Sequence, residues 1–319
     1  METKTLAEGE PPSPLNGFNP LLAFSLNVAI VCGLFLGCTT NPYTNRSQFL
    51  LVDAAQMNQL GAQQYQQMLS DPNVMISKDP REVEPVTRVA DRIIQAAKRS
   101  KYAESANGFT WEVNVIKDDK VKNAWALPGG KIAVYTGIFP MAKNEAGLAA
   151  IMGHEVVHAL AQHGAERMSQ GIAAQGILTV GSVALSAGGI SPGMNQLAVQ
   201  AMGLGAQVGV LLPFSRAHES EADYIGLLLA ADAGYDPREA VRIWQRMAQA
   251  SEGQPTEFLS THPSHETRIA DLQSWMPEAM ALFDKAPKSP VADLPTISST
   301  PVPDQKSPSP PSPSNNSPR

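Results

Sequence analysis

The residues with the clearest chemical potential in this 319-residue chain form the pentapeptide His-Glu-Val-Val-His at residues 154–158. On a helix, His154 and His158 lie one turn apart, so both imidazoles leave the same face and can bind one metal ion. Glu155 lies about 100° around the helix from His154, within reach of a metal-bound water. Zinc acidifies such a water, and the glutamate can take its proton as the oxygen attacks a carbonyl. The pentapeptide therefore predicts zinc-dependent hydrolysis of peptide bonds.

A catalytic zinc needs a third protein ligand as well as an open position. The zincin class with this ligand ten residues after the first histidine is excluded, because Gly164 occupies that position. His163 follows His158 by five residues, about 140° away from the ligand face of a continuous helix. We therefore interpret His163 as a helix-end histidine that does not contact the metal.

A second, acidic segment is the best source of the missing ligand. Glu219 and Asp223 are four residues apart and share a helix face, whereas Glu221 points nearly opposite. One carboxylate could bind the metal while the other orients a ligating imidazole. A solvated acidic face explains the same spacing equally well, so spacing alone leaves both interpretations open.

Several motifs in this order resemble metallopeptidase family forty-eight. Its members include the CAAX prenyl proteases, the HtpX-like membrane proteases, the mitochondrial Oma-type proteases and the periplasmic beta-barrel-assembly-enhancing proteases. The resemblance covers roughly residues 39–281 and implies an α+β, mainly α, gluzincin-type domain that binds one Zn²⁺ ion per chain. It is carried by the motifs at 154–158 and 219–223, by Ser-Thr-His-Pro at 260–263 with Arg268, and by Asn-Ala-Trp-Ala-Leu-Pro-Gly-Gly at 123–130 followed by residues 131–137.

The resemblance also implies roles for individual residues. Glu219 becomes the third zinc ligand, and Glu221 stays outside the site. Asp223 is implied to support a zinc-binding histidine. Arg268 is a candidate for binding substrate or for pairing with a carboxylate, and Asn123 is a further candidate for supporting the site or the substrate.

His262 precedes a proline, which disfavours helical backbone, so we expect it on a loop. The resemblance implies that this histidine either hydrogen-bonds the developing oxyanion or occupies the open zinc position and holds the enzyme off. Packing against or capping the next helix is the alternative without a catalytic role. We expect His218 and His265 at the surface.

The elements that must position these residues are mostly helical. Alternating strand-forming residues at 110–116 and 131–135 predict a small antiparallel sheet just before the catalytic helix. An edge of that sheet could take an extended peptide as an added strand. Helices are expected at about 53–69, 80–99, 145–170, 195–211, 216–233, 237–250 and 265–281.

The N-terminal segment 1–38 predicts a membrane attachment. Its apolar run ends in Leu-Phe-Leu-Gly-Cys, which resembles a bacterial lipoprotein signal cleaved before Cys38. The acidic residues near Met1 depart from an export signal, so an uncleaved anchor is the alternative. Thr39 after the cysteine favours the outer membrane. Acyl chains on Cys38 would then anchor a periplasm-facing protein in the cell envelope.

Three further segments complete the domain organisation, with the metallopeptidase domain expected at 39–284 and beginning with a linker at 40–45. Residues 168–215 contain no Asp, Glu, Lys, Arg or His. They predict a helical hairpin insert, either packed near the active site or entering the membrane. Residues 285–319 contain ten of the 26 prolines and predict a disordered tail.

Charge and cysteine content narrow the classes of partner. The net charge of −6, without a basic cluster, argues against nucleic acid. Cys32 and Cys38 are the two cysteines of the chain, which excludes a disulfide framework or a thiolate metal site in the domain. The expected function is that of an envelope-anchored zinc metalloendopeptidase that cleaves misfolded or misassembled proteins. A membrane-embedded protease and a holdase-like assembly factor with weak proteolysis are the alternatives.

Overall fold

The computed structural model describes residues 38–187, 215–250, 257–262, 267–288 and 290–296. The described part is mainly helical, with two small sheets. Its strands are β1 Cys38–Thr40, β2 Ser47–Phe49, β3 Glu112–Ile116, β4 Ala124–Leu127 and β5 Lys131–Tyr135. Its helices are α1 Ala54–Leu69, α2 Pro80–Arg99, α3 Ala103–Gly108, α4 Phe139–Ala142, α5 Glu145–Leu160, α6 His163–Ala187, α7 Arg216–Asp232, α8 Arg238–Ala250, α9 Glu257–Thr261 and α10 Arg268–Lys285, with a 3-10 turn at Thr136–Ile138.

Helix α5 carries the histidine motif through the centre of the core. The helix begins at Glu145, after the N-cap residue Asn144, whose side chain accepts a hydrogen bond from the Gly147 amide. Nearly all residues of the helix are buried. The helix ends at Leu160, because Gln162 adopts a left-handed backbone with a φ of 56°. The single helix expected over 145–170 is therefore wrong: the chain breaks at 161–162 and restarts as α6 in a new direction.

Helices α5 and α7 cross at a pair of glycines. A Cβ on Gly226 would lie 2.7 Å from the backbone nitrogen of His154, and a Cβ on Gly153 would lie 2.7 Å from the Gly226 carbonyl oxygen. Neither position tolerates a side chain without backbone movement. This close approach lets Glu219, near the start of α7, reach the histidines of α5.

The sheet before α5 is mixed, not purely antiparallel. Strand order is β3-β5-β4, with β4 antiparallel and β3 parallel to the central β5. The β4–β5 turn contains Gly129 and Gly130, both with φ near +85°, which glycine adopts without strain. Strand β4 lies at one edge of the sheet and packs against α5.

A hairpin precedes the helical core. Strands β1 and β2 pair antiparallel, with Cys38 opposite Phe49. Between them, the Asn41 side chain accepts hydrogen bonds from the amides of Tyr43 and Thr44, and Asn45 has a left-handed backbone. The linker expected at 40–45 is therefore a folded turn.

The predicted helix bounds agree closely for α1, α2, α7 and α8, while α10 runs four residues beyond its predicted end. The boundary of the disordered tail at 285 was placed too early. Residues 290–296 pack beside the start of α5, where the Ala292 carbonyl accepts from the Glu145 amide and the side chain of Leu294 is buried. Within the described ranges, no helix is both long and apolar enough to cross a membrane. The expectations for residues 1–37, 188–214 and 297–319 lie outside the described residues.

Candidate active site

Four buried side chains converge at the α5–α7 crossing: His154, His158, Glu219 and His262. One nitrogen or oxygen from each lies within 4.8 Å of the other three. His154 Nε2 is 3.1 Å from His158 Nε2 and 3.2 Å from His262 Nδ1, and Glu219 Oε1 is 3.5 Å from His158 Nε2. Ligand atoms around a tetrahedral zinc ion, with bonds of about 2.0–2.1 Å, lie about 3.4 Å apart. The spacing of the cluster therefore suits zinc.

The hydrogen bonds made by Nδ1 of His154 and His158 determine the protonation of Nε2, the nitrogen of each ring that faces the cluster. His154 Nδ1 is 2.9 Å from Asp223 Oδ1, so it must donate to that carboxylate. Burial lowers the pKa of His163 to about 4, and its Nε2 donates to Glu221 across 3.1 Å. Its Nδ1 must then accept from His158 Nδ1, 3.0 Å away. With Nδ1 protonated on both rings, the two Nε2 atoms are left as acceptors 3.1 Å apart, and a metal ion bound by both would satisfy them.

Two carboxylate oxygens support the same conclusion. Glu155 Oε1 is buried yet accepts no hydrogen bond from the residues that the structure describes. Glu219 Oε2 is likewise buried without a hydrogen bond from them, although Arg268 Nη1 lies 3.2 Å from it as an ion pair. Buried acceptors normally have a partner. Two imidazole nitrogens and one carboxylate form a known ligand set for catalytic zinc. The donor chemistry of His154, His158 and Glu219 thus fits a zinc ion.

Glu155 is placed beside this ligand set and not within it. Its Oε1 lies 4.0 Å from His154 Nε2 and 3.5 Å from His262 Nε2. Burial raises the pKa of Glu155, although the neighbouring His262 and His154 act in the opposite direction. A carboxylate with a raised pKa is better suited to accept a proton near neutral pH than a solvated one.

His154 is supported by an ion pair that reaches it from two other helices. Asp223 on α7 accepts from Arg268 on α10, with Arg268 Nε 2.5 Å from Asp223 Oδ2 and Nη2 2.7 Å from Oδ1. Arg268 also lies 3.2 Å from Glu219 and stacks over the Trp244 ring, 3.3 Å from its centroid. Burial alone would raise the pKa of Asp223, but the Arg268 charge and the His154 hydrogen bond hold it below its ordinary value. The side chain of Arg268 is only 1% exposed, so it acts inside the site.

His262 directly follows the last residue of α9 and enters the cluster from above α5. Its Nδ1 is 3.0 Å from Glu219 Oε1 as well as 3.2 Å from His154 Nε2, and its ring stacks on Phe258. The imidazole is 3% exposed. The structure thus brings His262 among the metal-ligand atoms, in contrast to the alternative in which it only packs against the next helix.

His163 lies on the opposite side of His158 from the metal-ligand atoms. The expectation that His163 does not contact the metal agrees with this position, but the argument for it is wrong, because that argument assumed a continuous helix. The left-handed Gln162 turns the chain back, and the fully buried His163 ring contacts His158 edge to face, with ring centroids 4.9 Å apart. No spacing rule signals such a contact, since it depends on one non-glycine residue adopting a positive φ.

Behind His163 lies a buried polar network that sequence reasoning missed. Arg46 of the N-terminal hairpin pairs with both Glu221 and Glu166, at 2.8 and 2.7 Å, and Glu166 accepts from His218 Nε2 at 3.0 Å. The prediction of a surface position for His218 is wrong, because its side chain is 1% exposed. Glu221 is absent from the ligand cluster, as expected, but it holds His163.

Asn123, another predicted residue, does not join the cluster. Asn123 lies just before β4, where its Oδ1 accepts from the Ala124 amide and its carbonyl accepts from the Tyr135 amide. None of the contacts between described residues joins its side chain to the metal ligands. His265 lies outside the described residues.

Comparison with known proteins gives one consistent picture. The sequence model of the family described as Peptidase family M48 matches residues 80–276. The chain is 36% identical over 242 residues to the mitochondrial metalloendopeptidase OMA1 of Schizosaccharomyces pombe, covering 75% of this chain and 66% of that protein. It is 29% identical over 266 residues to human OMA1, covering 81% of this chain and 49% of that protein. It is 30% identical over 172 residues to the beta-barrel assembly-enhancing protease of Yersinia pestis, covering 50% of this chain and 33% of that protein.

Proposed function

The chain belongs to peptidase family M48, a family of zinc-dependent metallopeptidases, and we propose that it is a zinc endopeptidase of the cell envelope that cleaves misfolded or misassembled proteins. One observation carries the proposal: the two Nε2 atoms of the histidine motif lie 3.1 Å apart, and each lies within 3.6 Å of an oxygen of the buried Glu219 carboxylate. His154, His158 and Glu219 would hold the zinc ion. Bound zinc would supply Lewis acidity toward a peptide carbonyl and toward water.

Glu155 is proposed as the general base. Its buried Oε1 takes a proton from the attacking water and later delivers it to the leaving amine. Burial raises its pKa, so the carboxyl can carry that proton between the two steps. Asp223 keeps the Nδ1 proton on His154, which leaves Nε2 free of a proton for the metal.

The substrate is proposed to bind as an extended strand along β4. That strand is an edge of the described three-stranded sheet and packs against α5, so a peptide added there would run past the motif. Main-chain hydrogen bonds select for extended conformation more than for side-chain identity. This binding mode suits cleavage of unfolded or loosely held segments. Asn123, at the start of β4, is proposed to keep that edge aligned.

His262 is proposed to restrain the enzyme. Its Nδ1 lies close to both His154 Nε2 and Glu219 Oε1, which is where a fourth ligand atom would sit. A substrate would then have to displace the imidazole before reacting. Replacing His262 with alanine should raise the basal rate of cleavage of an unfolded substrate.

A membrane tether at Cys38 completes the proposal. Cys38 opens β1, whose hairpin packs on the catalytic domain, so an acylated cysteine would hold the active site close to a membrane surface. The Yersinia relative, a beta-barrel assembly-enhancing protease, supports an envelope setting. The names of the OMA1 relatives place those proteins in mitochondria.

The test combines metal analysis with cleavage of casein by the purified full chain. Wild type should bind one zinc per chain and cleave casein; Glu155→Gln should keep the zinc and lose cleavage by at least about 100-fold. Glu219→Gln should lose both. Glu84→Gln is a matched surface control that should change neither. Zinc-replete Glu155→Gln that cleaves at the wild-type rate would overturn the catalytic assignment.

A cellular arm separates proteolysis from chaperoning. If Glu155→Gln with bound zinc supports the cellular role as well as wild type does, the chain acts as a holdase-like assembly factor, and the proteolytic proposal is wrong.

A further inference from the structure

The buried polar network behind His158 has no part in the proposed reaction, yet it leads without a gap from the N-terminal hairpin to a metal ligand. We propose that Arg46 is a positioning residue: through Glu221 and His163 it fixes the orientation and tautomer with which His158 binds zinc. This inference rests on the proposed function, because it requires His158 to be a zinc ligand. The β1–β2 hairpin, which carries Arg46, would therefore help to position a ligand of the metal site.

The direction of each hydrogen bond in the network is determined by its chemistry. Arg46 only donates, and Nη2 gives its hydrogen bond to Glu221 Oε2 at 2.8 Å. The carboxylate of Glu221 only accepts, so His163 Nε2, at 3.1 Å, must donate to it. His163 Nδ1 is left to accept from His158 Nδ1 at 3.0 Å. His158 must therefore keep its proton on Nδ1 and present Nε2 to the metal.

Arg46 is held in a geometry that only a guanidinium can provide. Its two terminal nitrogens bind both oxygens of Glu166 on α6, at 2.7 and 2.8 Å, while Nη2 also reaches Glu221 on α7. The planar fork therefore ties two helices together and places one positive charge between two carboxylates. A lysine supplies one compact charge and cannot reproduce this bidentate contact.

The hairpin is built to deliver Arg46 to this place. The Arg46 carbonyl accepts from the Asn41 amide at 2.9 Å, which closes the turn, and Thr44 Oγ1 donates to Glu221 Oε1. Gln48 Nε2 donates to the Ala161 carbonyl at 2.7 Å, at the break between α5 and α6 that presents His163. One short hairpin thus holds both the carboxylate behind His163 and the turn that brings His163 into contact.

Loss of the Arg46 side chain would disturb Glu221, then His163, and through His163 the orientation of His158. The carboxylates of Glu166 and Glu221 are each 5% exposed and would lose the cation between them. Glu221 would also lose the hydrogen bond from Arg46 Nη2 that fixes its position, so it would hold His163 less firmly. Outer partners of ligating histidines typically contribute 10- to 100-fold to metal affinity.

The experiment measures zinc affinity of the full chain by competition with a chelator. Arg46→Met should raise the zinc Kd roughly three- to tenfold, less than the loss of a direct outer partner of a ligating histidine, and Arg46→Lys should fall between it and wild type. The visible spectrum of the Co²⁺-substituted protein should change for Arg46→Met, since the geometry at His158 changes. Thr44→Val, which removes a single hydrogen bond to Glu221, provides a milder variant with a Kd increase of about two- to fivefold.

Arg88→Met is the matched control. Arg88 pairs with Glu145, a fully buried carboxylate at the start of the same catalytic helix, 2.6 Å away, but the pair has no path to His158. It should lower the unfolding temperature of the metal-free protein as Arg46→Met does, while leaving zinc Kd and the Co²⁺ spectrum unchanged. Equal effects of the two variants on zinc affinity would reduce Arg46 to a general stabilising role and overturn the inference.

A double-mutant cycle tests the path itself. If Arg46 acts through Glu221, Arg46→Met combined with Glu221→Gln should weaken zinc binding no more than the stronger single change; fully additive losses would overturn the inference. Wild-type zinc affinity in Arg46→Met and Thr44→Val, with an active wild-type enzyme, refutes this inference alone. A wild type that binds no zinc refutes the proposed function as well.

Discussion

The two histidines of the motif are supported in contrasting ways. His154 donates directly to the Asp223 carboxylate, which is paired with a fully buried arginine from α10. His158 donates to a neutral imidazole, and the carboxylate stands one residue further away, paired with an arginine that is 25% exposed. The chain of hydrogen bonds behind His154 is short and fully buried. The chain behind His158 has one more residue and ends at a partly exposed arginine. The comparison suggests that one ligand is fixed by the core and the other by a peripheral hairpin.

The largest effect is expected from Arg268→Met. This change leaves Asp223 and Glu219 buried without their cation, and breaking one side of a buried ion pair costs on the order of 3–5 kcal/mol. Denaturant unfolding of the metal-free protein measures this loss. Arg46→Met should lower the free energy of unfolding by no more than about 1–2 kcal/mol, because the Arg46 side chain is partly exposed and solvent screens its ion pairs. Equal losses of unfolding free energy in the two variants would contradict the contrast between a buried and a partly exposed arginine.

Asp223→Asn should produce the next largest effect. An amide side chain can turn its NH₂ group toward His154, which would favour the wrong tautomer for metal binding. Zinc affinity should fall by about 10- to 100-fold, more than for Glu221→Gln, because Glu221 acts only through His163. Isothermal titration with zinc compares the two variants. The ranking of direct over relayed support is contradicted if Glu221→Gln proves the more damaging.

His163→Phe isolates the relay itself. The phenyl ring fills a similar volume but offers no acceptor to His158 Nδ1, so zinc affinity should fall about tenfold with little loss of helical structure. Chelator competition and circular dichroism measure the two quantities. Wild-type affinity in this variant would mean that the contact between the two imidazoles is packing alone.

The smallest effect concerns pH. Burial would raise the pKa of Glu166, but hydrogen bonds from His218 and Arg46 outweigh burial and hold it well below its ordinary value of 4.5. A carboxyl with a depressed folded-state pKa stabilises the protein above its unfolded pKa, and this stabilisation is lost as pH falls below about 4.5. Unfolding of the metal-free chain between pH 6 and pH 3 should therefore show a steeper loss for wild type than for Glu166→Gln. Parallel pH profiles would show that the outer part of the network does not stabilise the fold.

The two halves of the candidate metal centre, the histidine motif on α5 and the acidic residues on α7, could be predicted from sequence to different extents. His154, Glu155 and His158 follow from helical spacing, because three residues within five positions have a fixed geometry once the helix forms. Glu219 and Asp223 also share a face, but spacing could not separate a ligand pair from a solvated face. That decision required the crossing of α5 and α7 at Gly153 and Gly226, which places the carboxylates within reach.

The network behind His158 could not be predicted for a definite reason. It joins residues 46, 163, 166, 218 and 221, which are distant in sequence and have no common period. The break at Gln162 invalidated the helical-wheel argument for His163, and the turn at 40–45 lacked any strand-like alternation. The parallel pairing of β3 with β5 was missed for a related reason. The short strand β4 lies between them in sequence and takes the antiparallel position beside β5, and no local pattern indicates this.

By itself, the sequence determined the family and predicted the chemistry: a histidine pair suited to binding zinc, with a glutamate between them, on a helix, in a family M48 domain. Those features are local, because a helix converts spacing into geometry without reference to the rest of the chain. The tertiary structure alone decided what holds each ligand. Buried ionic groups need partners, and in this chain those partners come from the far ends of the described domain, Arg268 near one end and Arg46 near the other.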